Sequence, residues 1–440
     1  MKFLLILTLL LFNQISPKFT RKSEYDYSSY KSVSHNQNLS SQQVTSSSTD
    51  ESAVYIDGSD KITVTDSTIT KESGDSSNIE NSEFYGVNAA VLVQGGNLEI
   101  TGGEIITKAQ GGNSIVATND GQVKVTGTVI TSTGTRSARG LHATYGGNIV
   151  GEDVTINTVG GSCATLATDR GEGVVSCKNC NLSIKGAGSP IIYSTGNIKI
   201  EGSTGNSEGA QAVVIEGKNT AEVKGNSNLK CTAAPNREKI DQCGVMIYQS
   251  FSGDAETGTG NFVCSESSIE IVSSSSYYST APMFFVTNTK ANIALEGCQF
   301  TYGSNTFLSA KGTSAWGKSG SNGGDVTLTL TNENIEGNFV LDKISSLSLK
   351  LVNSTIKGTI NGDKAAKKLA IEMDVDSQIT LTGDSYYSEF KNEDVNGKNL
   401  INGSYSWHYQ STSAANILNA SFLLYNKNEA FNILAALVDW

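Results

Sequence analysis

The chain has 440 residues but only 4 prolines and 3 histidines. With proline so scarce, its turns must be built from residues that tolerate left-handed backbone. Glycine, at 45, is abundant enough to do this together with Asn and Asp. The histidines, His35, His142 and His408, are far apart and form no metal-binding pair. Cys177-Lys-Asn-Cys180 has half of a zinc spacing, and no second half answers it. Neither a metal nor a cofactor is expected. Positive charge is also short: Lys and Arg total 32 against 43 acidic residues, a formal charge of −11. That balance argues against nucleic-acid partners and against anionic membranes.

Long apolar runs are missing as well. The Leu4–Phe12 stretch, apolar but for Thr8, follows Met1-Lys2-Phe3 and precedes polar Asn13-Gln14. It is too short to span a bilayer and has the pattern of a signal peptide, expected over 1–17. The expected location is therefore secreted or extracellular cell surface, with no membrane span after removal of the signal. Outside the cell disulfides are permitted. Cys231 and Cys243 bracket a polar insertion and are expected to pair. Cys163 and Cys298 fit buried solenoid positions instead. The sequons at Asn38, Asn181, Asn353, Asn402 and Asn419 are candidate surface glycosylation acceptors.

What is present is a repeat. Val-Leu-Val-Gln-Gly-Gly-Asn-Leu at 91–98 returns as Ile-Val-Ala-Thr-Asn-Asp-Gly-Gln-Val at 115–123 and Leu-His-Ala-Thr-Tyr-Gly-Gly-Asn-Ile at 141–149. Leu-Ala-Thr-Asp-Arg-Gly-Glu-Gly-Val at 166–174 and Ile-Ile-Tyr-Ser-Thr-Gly-Asn-Ile at 191–198 follow. The period is about 25 residues, in the range of stacked solenoids. Gln94, Asn119, Tyr145, Asp169 and Ser194 hold equivalent places in the phrase. Alternating segments such as Val123-Lys124-Val125-Thr126 predict half-buried strands. Coils this short leave no room for helices, so the expected fold is all-β: a single-stranded right-handed parallel β-helix.

The expected organisation is a Ser-rich disordered linker over 18–52, the β-helix over 53–385 and a C-terminal segment over 386–440. In that last segment, 430–438 has the apolar spacing of a capping helix. Polar insertions at 232–242, 252–261, 273–281 and 311–324 lengthen the later coils. Such insertions often gather on one face.

On the Gly-Gly-Asn-Leu-Glu-Ile-Thr-Gly-Gly run at 95–103 and its echoes, residues 53–385 resemble right-handed β-helix proteins of the pectin-lyase-like superfold. Secreted adhesin-like members are the most similar. The resemblance implies fold more firmly than function. Enzymes of the superfold carry Asn-Thr-Asp, Gly-Asp-Asp and Gly-His-Gly words, and this sequence has none of them. His142, Asp169 and Arg170 are the residues that stacking could gather for catalysis, although an ordinary polar ladder explains them too. Aromatics at the corners and insertions are candidate sugar platforms: Tyr145, Tyr193, Tyr248, Tyr277, Tyr278 and Trp316. The expected function is a monomeric, non-catalytic, adhesin-like protein that binds glycans or cell-surface components through its insertions. A polysaccharide lyase or hydrolase, and a structural wall or coat protein, are the alternatives. An ice-binding plane through Thr118, Thr144 and Thr168 is a further possibility.

Overall fold

A computed structural model describes residues 23–58, 61–235 and 242–411. The strands pair in parallel and form three long faces of one stack. Sheet 1 has 12 strands, from Lys31–His35 to Asn338–Leu341. Sheet 2 has 14, from Leu39–Ser40 to Glu389–Asn392. Sheet 3 has 10, from Gln43–Ser46 to Gln299–Thr301, and a 4-stranded sheet follows it from Asn334–Glu336 to Leu400–Ile401. The fold is a parallel β-helix. At about 4.8 Å per coil the stack rises roughly 60 Å along sheet 2.

Side-chain alternation explains why each segment stays a strand. In the Gln122–Thr126 strand Val123 and Val125 are buried, while Gln122 and Lys124 are exposed. Register then lines up like with like. Leu98, Val123, Ile149, Val175, Ile198 and Ala221 form one inward column of sheet 2. Phe262, Ile293, Leu328, Leu349 and Ile371 continue it. A one-residue slip in any strand would turn this column to solvent, so the apolar pattern sets the register. In the later coils Phe284 lies at the centre of a ring cluster, with Phe307, Phe262 and Phe300 at 5.2, 5.6 and 5.6 Å.

Left-handed residues turn the chain from sheet 2 to sheet 3. Asp66, Asp153, Asn179, Asn332 and Asn353 have φ between 45° and 55°. Asn and Asp reach this region more readily than other non-glycine residues. Where the residue after such a corner is serine, it points inward and accepts a backbone N–H from the coil before it. Ser203 Oγ accepts from Cys180 N at 3.0 Å, and Ser227 Oγ from Ser203 N at 3.1 Å. Ser354 Oγ accepts from Glu333 N at 3.0 Å. Corner N–H groups that lack a strand partner are satisfied in this way.

Several sequence expectations change. The Ser-rich segment is not a linker from 31 onward: Lys31–His35, Leu39–Ser40 and Gln43–Ser46 make the first coil. Leu39 and Val44 pack into the shared core, so few apolar residues suffice once a second coil lies beneath. Lys71 ties the coils together. It is fully buried, and its Nζ donates to Ser48 O at 2.6 Å and Glu51 O at 2.8 Å. The stack also passes residue 385, through Ser385–Tyr387, Glu389–Asn392 and Trp407–Tyr409.

The expected Cys231–Cys243 disulfide does not form. Cys231 faces the main core, whereas Cys243 lies in a separate apolar cluster on the outside of sheet 1. The disulfides among the described residues are Cys177–Cys180 and Cys264–Cys298, so Cys298 is not a buried thiol. Cys180 and Cys298 occupy the inward corner position that serine holds elsewhere. From there each reaches a core cysteine of sheet 2. Cys163 is a buried thiol. The sequon residues Asn38, Asn181, Asn353 and Asn402 are exposed. Asn419, the signal segment 1–17 and the helix expected at 430–438 lie outside the described residues.

Candidate ligand-binding cavity

The outer face of sheet 1 is largely covered. Its outward column runs Tyr55, Leu92, Val116, His142, Ala167, Tyr193, Val214, Met246 and Phe285. Near the N-terminal end Tyr27, Tyr55, Leu92 and Val116 cluster under residues 25–30. Farther along, Val214, Met246, Tyr248 and Phe285 cluster with Tyr193 and Trp316. Between these apolar patches lies a polar stretch. Over it opens a cavity of about 210 Å³, lined by Glu83, Phe84, Arg139, Asp169, Pro190, Tyr193, Gln211, Val214, Met246, Tyr248 and Asp254 among others.

Insertions at both edges of sheet 1 build the walls. On one edge is a short helix, α1 (Ile79–Tyr85). Asn78 caps its start by accepting from Glu80 N at 2.9 Å, and Gly86 ends it at φ 74°. A left-handed C-terminal residue of this kind favours glycine. The helix brings Glu83 and Phe84 to the cavity. On the other edge, the turn after the Val245–Tyr248 strand brings Asp254.

Charge inside is closely paired. Arg139 is 6% exposed; its Nη1 lies 3.0 Å from Asp169 Oδ2 and its Nη2 3.5 Å from Glu83 Oε1. Burial pushes the Asp169 carboxyl up to about 7, against the pull of Arg139 and with help from Asp254 and Glu83. Arg170 pairs with Asp254 at 3.0 Å and lays its guanidinium over the Phe84 ring at 3.6 Å. His142 is fully buried and donates from Nε2 to Glu83 O at 2.8 Å. Its Nδ1 then accepts from Arg139 Nη1 at 3.2 Å. Burial, reinforced by Arg139, holds this imidazole well below its ordinary range, so it is neutral. Both nitrogens are engaged, and no lone pair is left to act as a base.

A second carboxylate is held by hydroxyls. Tyr193 and Tyr248 both donate to Glu216 Oε2, at 2.8 and 2.7 Å. Ser250 donates to Glu216 Oε1. Burial first, and then the Glu216 charge, raise both phenols well above their ordinary values. One polar atom is left over: Gln211 is 2% exposed, and its Nε2 has no hydrogen-bond partner.

Of the residues singled out in the sequence, Asp169, Tyr193 and Tyr248 meet at the cavity. His142 lies behind it, and Arg170 holds a wall through Phe84 and Asp254. Trp316 packs on Tyr248 at 5.4 Å, and Tyr145 stacks on Tyr85 at 5.8 Å. Tyr277 and Tyr278 are elsewhere, packed on the main core as the anchor of a long turn. Thr118, Thr144 and Thr168 are buried, so they form no exposed plane. The phrase itself slips by one residue: Gln94 pairs with Thr118, not Asn119. Asn119 and Asp120 are both left-handed and add a residue at that corner.

The sequence reading missed Glu83, Arg139, Gln211, Glu216 and Asp254. Glu216 had a signal, a carboxylate at the end of the strand phrase, the place Asp169 holds two coils earlier. The other four lie at or near corners, outside the alternating strands. No family model, curated protein or solved structure matches the chain.

Proposed function

We propose that this chain is an extracellular, non-catalytic, adhesin-like β-helix of the pectin-lyase-like kind, and that it binds a saccharide in the cavity over sheet 1. The observation that carries the reading is the cavity itself. Its walls combine carboxylates, phenols and an amide with an apolar floor, the mixture that suits a sugar's hydroxyls and C–H faces. Phe251, 71% exposed, stands in the same turn as Asp254 and offers a free aromatic ring. Two disulfides accord with an oxidising compartment.

A glycan array with the full chain and a Val214→Trp variant tests this. Val214 lines the floor, and an indole there fills the space. The wild-type chain should retain a defined set of glycans and the filled variant should lose them. Equal retention by both would remove the cavity from consideration.

One observation favours a second reading, a polysaccharide-cleaving enzyme. A carboxyl held near 7 in a cleft is the protonation state a general acid needs. Turnover on a polysaccharide panel that disappears in Asp169→Asn would support that alternative.

A further inference from the structure

We propose that the cavity takes an uncharged, N-acetylated hexosamine, and that the acetamido group is the part recognised. The inference rests on the saccharide reading above and names the sugar class.

The Gln211 amide carries the argument. A buried N–H without an acceptor is unfavourable, and nearly all such groups in folded proteins are paired. Gln211 lines the cavity, and its Nε2 is buried and unpaired. A ligand acceptor in the cavity satisfies this amide once its side chain turns toward the space. The surroundings say what else the ligand brings. Val214 and Met246 form an outward apolar pair in adjacent coils, at 7% and 1% exposure, and Pro190 also lines the space. A hydroxyl placed there would lose its water without gaining a partner, whereas a methyl group fits. An acceptor joined to a methyl is an acetyl group. Its carbonyl oxygen accepts from Gln211 Nε2, its methyl rests on Val214 and Met246, and its amide N–H finds an acceptor in the Asp169 carboxyl.

Charge excludes the neighbouring sugar classes. Arg139 is committed to Asp169 and Glu83, and Arg170 to Asp254. Neither cation is left for a uronate, a sulfate or a sialic acid, and the surplus carboxylates repel them. A free amino sugar is drawn by the carboxylates, but its ammonium has no lone pair for Gln211 and no methyl for the floor. The volume, about 210 Å³, lies below the roughly 300–1,000 Å³ of sites for drug-sized ligands, so one ring enters rather than a chain.

Titration calorimetry and saturation-transfer NMR on the full chain test this with N-acetylglucosamine, N-acetylgalactosamine, glucose, glucosamine and glucuronate. At least one N-acetylated sugar should bind about tenfold or more tighter than the other three. Gln211→Met, checked for folding by circular dichroism, should lose about tenfold for that sugar. An N-propionyl analogue should bind more weakly than the N-acetyl sugar, because the floor is closed. This ligand series needs no variant, so a misfolded Gln211→Met would not prevent the test. Equal affinity for glucose and the N-acetylated sugars, or tighter binding of glucosamine or glucuronate, overturns the acetamido assignment and leaves the saccharide reading standing. If none of the five sugars nor any glycan on the array binds, both are overturned.

Discussion

Arg139 Nη1 sits 3.0 Å from Asp169 Oδ2, across 30 residues of sequence, with both side chains almost closed to solvent. Neither would be tolerated there alone. A buried pair is weak evidence of net stabilisation, but removal of one member leaves an uncompensated charge. Arg139→Leu should therefore cost about 3–5 kcal/mol in urea unfolding. A double variant, Arg139→Leu with Asp169→Leu, should recover part of the loss. A single variant as stable as wild type would mean that the pair is solvated in solution.

Glu333 gives a pH-dependent effect of definite sign. It is 3% exposed; Oε1 accepts from Cys298 N at 2.8 Å, and Oε2 has no partner. Burial lifts its carboxyl to about 7. The folded state therefore holds this proton more tightly than the unfolded chain does. The stabilisation is fully present below the ordinary carboxyl range near pH 4 and is lost as pH rises through about 7. Glu333→Gln keeps the acceptor and removes the charge. It should raise stability at pH 8 by about 2 kcal/mol and flatten the decline between pH 5 and 8. Parallel pH profiles for the two proteins would contradict this.

Peptide mapping under non-reducing conditions should recover Cys177–Cys180 and Cys264–Cys298, and no peptide joining Cys231 to Cys243. Cys264 and Cys298 are 34 residues apart. By loop-closure entropy their bridge should contribute about 3–4 kcal/mol, and the Cys264→Ala/Cys298→Ala variant should unfold at correspondingly lower urea. Iodoacetamide should label Cys163 and Cys231 only after unfolding, since burial raises both thiols, Cys163 to about 11 and Cys231 to about 12.

Phe284→Ala should cost about 3–5 kcal/mol, because its ring contacts others from three directions and the neighbouring coils cannot close the gap. Val174→Ala, at an exposed strand position, should change stability by less than about 0.5 kcal/mol. Similar losses for the two would argue against a continuous core.

The fold could be read from the sequence because each coil repeats the same local instruction. Val123 and Val125 announce a strand and its buried face without reference to any other residue. Residues 31–52 read as linker because that logic fails at the end of a stack. The first coil has few apolar residues of its own, and Leu39 and Val44 become core only when Ile62, Val64 and Ile69 lie beneath them. The cysteine pairing failed for a related reason. Closeness in sequence favours Cys231 with Cys243, but Cys231 ends a strand on its core-facing side, while Cys243 lies in the segment before the Val245–Tyr248 strand and packs in the cluster outside sheet 1.

Composition and periodicity alone determined an all-β solenoid with parallel strands and Gly/Asn/Asp corners, because alternation and left-handed turns are properties of neighbouring residues. The cavity was decided only by tertiary structure. Glu83 comes from a helix, Arg139 and Gln211 from corners and Asp254 from a long turn; none of them shares a strand phrase with Asp169. They meet because insertions at opposite edges of one sheet fold over the same face, and how far such loops reach depends on what they pack against, not on their own sequence.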